Sequence, residues 1–147
     1  MTMINKKLVV DSSVLVSMLK HDEENSDSSL KFFDFVLKNN YVFLMPILIL
    51  FEVFHSLDRK DFFKNPLNFK KCMKVFNTSC FEYIDLNFGV FNVYKEIHFL
   101  NNLKTSDSII ASMSILTNSD LISLDNNLIS RVPNSYTPSQ FLKRFAN

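Results

Sequence analysis

The chain has 147 residues, 47% hydrophobic and 21% charged, with sixteen phenylalanines; this is the composition of one packed domain over residues 1–147 and excludes a disordered or fibrous chain. A formal net charge of +1 and a pI near 7.8 exclude a global attraction to polyanions, so any nucleic-acid surface has to be local. Two cysteines without zinc-site spacing, Cys72 and Cys80, exclude a disulfide scaffold, and the lack of an apolar leader or bilayer-length apolar run predicts a cytoplasmic protein with no membrane partner.

From the N-terminus, "KKLVVD" reads as a short buried strand ending at Asp11, and "SSVLVSMLK" as a helix whose turn can be capped by Ser12 or Ser13. "SDSSLKFFDFVLKNN" repeats Leu30, Phe33, Val36 and Leu37 at helical spacing and stops at asparagines. "YVFLM" is a second strand, followed after Pro46 by a helix in "ILILFEVFHSLDRK" that carries Glu52 between Phe51 and Val53. "NPLNFKKCMKVFN" places Asn65 as a cap and Pro66 at the first helical position. "FEYIDL" is a third strand, and a helix is predicted from about Asn87 to Asn101. A further helix runs from about Ser106 to Leu116, "LISL" forms a fourth strand ending at Asp125, and "VPNSYTPSQFLKRF" gives a short extended stretch and a small helix after Pro138. Short apolar strands separated by helices predict an α/β fold of three layers, a mostly parallel central sheet flanked by helices.

In such a sheet ligands bind beyond the C-terminal strand ends, near a switch in strand order. Asp11 and Asp125 each follow a strand, Asp107 lies in the first turn of a helix that starts at the same edge, and Glu52 sits about one and a half turns into a helix that also follows a strand. Each acid has an ordinary structural explanation as well: a turn cap at Asp11, a first-turn acid behind Ser106 at Asp107, an Asx turn with Asn126 and Asn127 at Asp125, an exposed stripe at Glu52. Their joint placement is the stronger signal. Converging carboxylates repel, and a divalent cation with oxygen preference, Mg²⁺ or Mn²⁺, removes that cost. The chemistry that most needs such a cluster is phosphodiester hydrolysis.

The sequence resembles the PIN-domain ribonucleases, particularly toxins of prokaryotic type II toxin–antitoxin pairs. The resemblance lies in "KLVVDSSVLVSML", "MPILILFEVFHSL", "LKTSDSIIASMSILTNSDLISLDNNL" and the tail "RVPNSYTPSQFLKRF", and so spans nearly the whole chain. It implies a metal-dependent endoribonuclease in which Asp11, Glu52, Asp107 and Asp125 are catalytic and bind Mg²⁺ or Mn²⁺, supported by Ser12, Ser13 and Ser123, whose hydroxyls bond carboxylates, metal waters or phosphate. Asn127 stands where the family often has a further acid, and an amide neither neutralises a cation nor acts as a base. The implied partners are an RNA substrate, a cognate antitoxin and a second copy in a homodimer, with contact faces in "FFDFVLKNN" or "MKVFN". The alternative is a catalytically weak module of the same fold that binds RNA or protein.

Other chemistries fit less well. Gly89 is the only glycine, which excludes glycine-rich phosphate cradles. An aspartyl-phosphate mechanism at Asp11 would lack its acid–base partner, because Ser13 occupies that position. His21, His55 and His98 nominate no general base for a serine hydrolase, although His55 lies three residues after Glu52. Lys60, Lys64, Lys70, Lys71 and Lys74 form the one basic stretch, read either as a local RNA contact or as a solvated helix face.

Overall fold

The computed structural model describes residues 6–97 and 102–146. The elements run β1 (Lys7–Val10), α1 (Ser12–Leu19), α2 (Ser26–Lys38), β2 (Val42–Pro46), α3 (Ile47–Arg59), a 3-10 turn (Phe62–Lys64), α4 (Pro66–Phe76), β3 (Phe81–Ile84), α5 (Phe88–Glu96), α6 (Thr105–Thr117), β4 (Asp120–Ile122), α7 (Asn126–Arg131), β5 (Ser135–Tyr136) and α8 (Pro138–Phe145). The last predicted positions of α5, including Leu100, lie outside the described residues, as does His98.

The five strands are all parallel in the order β3-β2-β1-β4-β5. β1 is the centre: Leu8 faces Phe43 on one side and Asp120 on the other, and Leu8, Val9 and Val10 are buried. A strand covered on both faces needs a continuous apolar run rather than an alternating one, which is why "LVV" sits here. The chain first builds outward from β1 to β2 and β3, then crosses back to place β4 on the other side of β1. The switch in strand order therefore falls between β1 and β4, the place where a crevice opens beyond the strand ends.

Helices cover both faces. Right-handed crossovers put α1 to α4 on one side and α5 and α6 on the other; α1 packs on α2 and α3, α2 on α8, and α5 on α6, which lies against β1. On α2 the buried stripe is Ser29, Phe32 and Val36, whereas Leu37 is exposed, so the predicted face is rotated. Asn65 caps α4 by accepting the Leu67 N–H at 3.0 Å, with Pro66 at the first helical position. Thr137 and Gln140 form a reciprocal capping box that starts α8.

Phe32, Phe43, Phe76 and Phe141 are buried, while Phe51, Phe69, Phe88 and Phe91 are exposed. Cys72 is buried and Cys80 half-buried, and both are free thiols. Among the described residues no helix is long and apolar enough to cross a membrane. Phe141 locks α8 onto α2 through edge contacts with Phe32 at 5.3 Å and Tyr41 at 5.9 Å. Phe141→Ala is expected to cost about 3–5 kcal/mol of unfolding free energy. A urea titration that shows a loss below about 1 kcal/mol would mean that α8 is not part of the cooperative core.

Candidate active site

Asp11 follows β1 directly, and its N–H extends the ladder to the Ile122 carbonyl at 2.9 Å. It occupies the N-cap position of α1, but its side chain makes no capping bond. Asp11 is 6% exposed, and its carboxylate is solvated by hydroxyls instead. Oδ2 accepts from Ser13 Oγ at 2.6 Å and from Ser123 Oγ at 2.7 Å, and Oδ1 has a longer contact with Ser12 Oγ at 3.4 Å. Ser12 and Ser13 thus turn to the preceding acid rather than capping their own helix. Ser13 Oγ accepts the Leu124 N–H at 3.2 Å and Ser123 Oγ accepts the Asp125 N–H at 2.9 Å. Each hydroxyl is engaged by an amide behind it, so its proton is directed to Asp11, and the chain of bonds polarises in one sense.

Asp125 lies just past β4 and caps α7. Its Oδ1 accepts from the Asn127 N–H at 2.8 Å and the Leu128 N–H at 3.4 Å, so the capping explanation for this acid is real and uses one of its two oxygens. Its Oδ2 makes no hydrogen bond among the described residues. The six-residue α7 has no counterpart in the elements predicted from sequence. Asn127 is exposed, and its amide oxygen accepts from Arg131 Nε at 2.9 Å along the same helix.

Asp107 is the third residue of α6, half-buried and without a hydrogen-bond partner among the described residues. Lys104, not Ser106, occupies the N-cap position, and no side chain caps this helix. Burial pushes the Asp107 carboxyl up to about 6, and the negative charges of Asp11, Asp125 and Glu52 push in the same direction, against a downward pull from Lys104. Glu52, the sixth residue of α3, is half-buried. All four acids therefore act on one neighbourhood at the C-terminal edge of the sheet. Lys104 escaped the sequence reading, although its signal was present as a lysine one helical turn before Asp107. His55 is exposed on α3, and His21 is exposed after α1.

Among the described residues no three His, Cys, Asp or Glu side chains come close enough together to hold a metal ion. The donor chemistry nevertheless fits a hard cation: every candidate donor is a carboxylate, and Mg²⁺ keeps several waters while binding through only one or two protein carboxylates. Asp107, with both oxygens unpartnered and its charge opposed by its neighbours, is the donor that gains most from a cation.

The family model for the PIN domain matches residues 8–134, a stretch that includes all four acids. The chain belongs to the PIN domain family. Three solved structures share the fold of this PIN domain protein. VapBC2 from Rickettsia felis, bound to a DNA fragment from its promoter, is 20% identical with a TM-score of 0.67, covering 89% of this chain and 96% of that one. A toxin–antitoxin complex from Klebsiella pneumoniae is 15% identical with a TM-score of 0.64, covering 89% and 97%. PAE2754 from Pyrobaculum aerophilum is 19% identical with a TM-score of 0.63, covering 96% and 90%. A comparison with curated protein sequences returns no significant match.

Two predictions follow from the electrostatics and the hydroxyl clamp. Because the folded-state pKa of Asp107 lies above the ordinary aspartate value of 3.8, the folded protein binds the extra proton between roughly pH 4 and 6, and stability is lost as pH rises through that window. Asp107→Asn should therefore be more stable than wild type at pH 7.5, by about 1 kcal/mol once solvent screening of this partly exposed group is allowed for, with no difference near pH 3.5. Thermal melts at the two pH values check it, and an equal effect at both would refute the repulsion. Ser123→Ala removes one donor from a buried carboxylate and should cost about 1–3 kcal/mol at pH 7, read by chemical denaturation.

Proposed function

We propose that this PIN domain protein is an endoribonuclease that uses Mg²⁺ or Mn²⁺ to hydrolyse RNA phosphodiesters, and that it acts as the toxin of a toxin–antitoxin pair in the cytoplasm. The observation that carries the reading is the charge state of the groove: Asp107 is raised to about 6 by burial together with Asp11, Asp125 and Glu52. A protein gains nothing for folding by gathering like charges at one sheet edge, whereas a nuclease needs such carboxylates to hold the divalent cation that neutralises a phosphate. One of the structures that share the fold is a toxin–antitoxin complex, which supports the toxin assignment.

In this reading the acids hold the metal, with Asp107 and Asp125 Oδ2 the most available donors. A bound divalent cation supplies charge neutralisation at phosphorus and lowers the pKa of a coordinated water. The chain's own residues do the positioning. Ser13 and Ser123 hold the Asp11 carboxylate in one orientation from both sides. Asp125 is fixed by its capping bonds through Oδ1, which leaves Oδ2 for a cation. Lys104 places a positive charge beside Asp107 and would attract the incoming phosphate. Single-stranded or looped RNA is the substrate of choice, because exposed bases can be stacked and hydrogen-bonded. In the basic stretch, Lys60 is paired with Glu23 and Lys64 with Asp61, which leaves Lys70 as the lysine of that stretch offered to an RNA backbone.

An antitoxin and a second copy are the proposed protein partners, with residues 1–147 as one PIN domain. The apolar groove between α3 and α4 supports the antitoxin: Ile47, Leu50, Phe51, Phe54, Phe69 and Met73 line about 370 Å³, and Phe51, next to Glu52, is 70% exposed. Exposed Phe88 and Phe91 on α5 support a self-association face. The inward Phe32 of α2 leaves that helix a weaker candidate than Met73 of α4.

The test is cleavage of a panel of structured and single-stranded RNAs, with single-stranded DNA beside them, in Mg²⁺, Mn²⁺ or excess chelator. Wild type should give metal-dependent RNA products, and Asp107→Asn, folded by circular dichroism, should lose activity about 10²-fold or more. RNA bound without cleavage by folded, partner-free, metal-loaded protein would replace the enzyme with a binding module, a reading that the Asn127–Arg131 bond would then support.

A further inference from the structure

Away from the acids, a cleft of about 430 Å³ opens where the end of α1, the start of α2, the 3-10 turn and α4 meet. Met18 and Leu19 reach it from the last turn of α1, whereas the hydroxyls that hold Asp11 sit in the first. Ser13 and Leu19 are about 9 Å apart along the helix axis, so the cleft and the acidic edge are at opposite ends of α1.

The cleft has two chemically distinct parts. Its floor is apolar, formed by Met18, Leu30, Cys72 and Val75 among others; burial raises the Cys72 thiol above its ordinary value, which keeps it uncharged at neutral pH. Its rim carries Lys71 and Lys74. The nearby acids are already matched, Asp22 by Lys20 at 3.2 Å and Glu23 by Lys60. Lys71 and Lys74 have no ion-pair partner among the described residues, so an uncompensated positive charge borders an unfilled apolar hollow. The rim is built as well as charged: Asn68 Nδ2 donates to the Phe62 carbonyl at 2.9 Å, tying α4 to the 3-10 turn. His21, for which the nuclease site has no use, also lines the opening.

We propose that this cleft is a second binding site, for a small amphipathic anion of the alkyl or aryl carboxylate class. Its apolar body would lie against Met18, Leu30 and Val75, and its carboxylate would meet Lys71 and Lys74. The volume lies in the range of small-molecule sites, and charge complementarity selects an anion over a neutral or cationic apolar molecule. An RNA phosphate would satisfy the lysines but leave the floor uncovered.

Methyl-labelled full-length protein titrated with octanoate tests the assignment without reference to nuclease activity. Saturable shifts are expected at the Met18, Leu30 and Val75 methyls, with a dissociation constant of ~1 mM. Octylamine should bind at least tenfold more weakly. The doubly reversed variant Lys71→Glu/Lys74→Glu changes only exposed side chains and should lose at least tenfold in octanoate affinity while its unliganded methyl spectrum stays folded. Equal binding of octylamine, undiminished binding in the variant, or shifts confined to Ile47, Leu50 and Met73 in the α3–α4 groove would overturn the proposal. So would displacement of octanoate by a mononucleotide at matched concentration, which would assign the lysines to nucleic acid, or the absence of any saturable shift.

Discussion

Asp11 is 6% exposed, which leaves its carboxylate little water, so the protein has to supply the donors. They come from two strand ends far apart in sequence: Ser13 after β1 and Ser123 after β4. Each hydroxyl is in turn engaged by a backbone N–H of the β4 turn. The clamp therefore closes the sheet at its switch point and orients the acid in one step. Shifting β4 by one residue against β1 would aim Ser123 at the opposite face and leave a buried carboxylate short of a donor. Register and site geometry are the same constraint here.

That clamp explains why the four acids differ in character. Asp11 is satisfied by hydroxyls and Asp125 is half used as a helix cap, whereas among the described residues Asp107 has neither hydroxyl nor amide to stabilise its charge. Burial and three negative neighbours leave it the group least comfortable as an anion. The energetic strain of the edge is concentrated on one side chain that a cation or a proton can relieve, and the surrounding structure tolerates this because the β1–β4 ladder and the apolar core beneath it are secure. Lys104 moderates the repulsion without cancelling it.

The remaining surface is unevenly finished. α4 carries lysines on its outer side and apolar residues on both flanks, one bordering the groove with α3 and the other the cleft with α1 and α2. A helix buried on one stripe alone would show a single apolar face. Exposed Leu67, Phe69 and Met73 mark α4 as an element whose packing the single chain leaves incomplete.

Much of this was determined by the sequence itself. Apolar runs such as "LVV" and "FLM" specify strands buried on both faces, Asn65–Pro66 and Thr137–Pro138 specify helix starts through local hydrogen bonds, and an acid after each of two strands locates the edge where a site can form, because parallel topology sends every strand end the same way. What the sequence left open depends on groups distant along the chain. Periodicity on α2 pointed to Leu37, but packing against α8 buries Phe32 instead. Ser12 and Ser13 read equally well as caps, and only the arrival of β4 with Ser123 turned Ser13 into part of a clamp on Asp11. The short α7, built on Asp125, is too brief to show a helical period. The Asp107 environment is a sum over three acids from three other elements and one lysine. Local propensity acts over a few residues and is legible in sequence, whereas desolvation and charge repulsion depend on distances that exist only once the sheet has assembled.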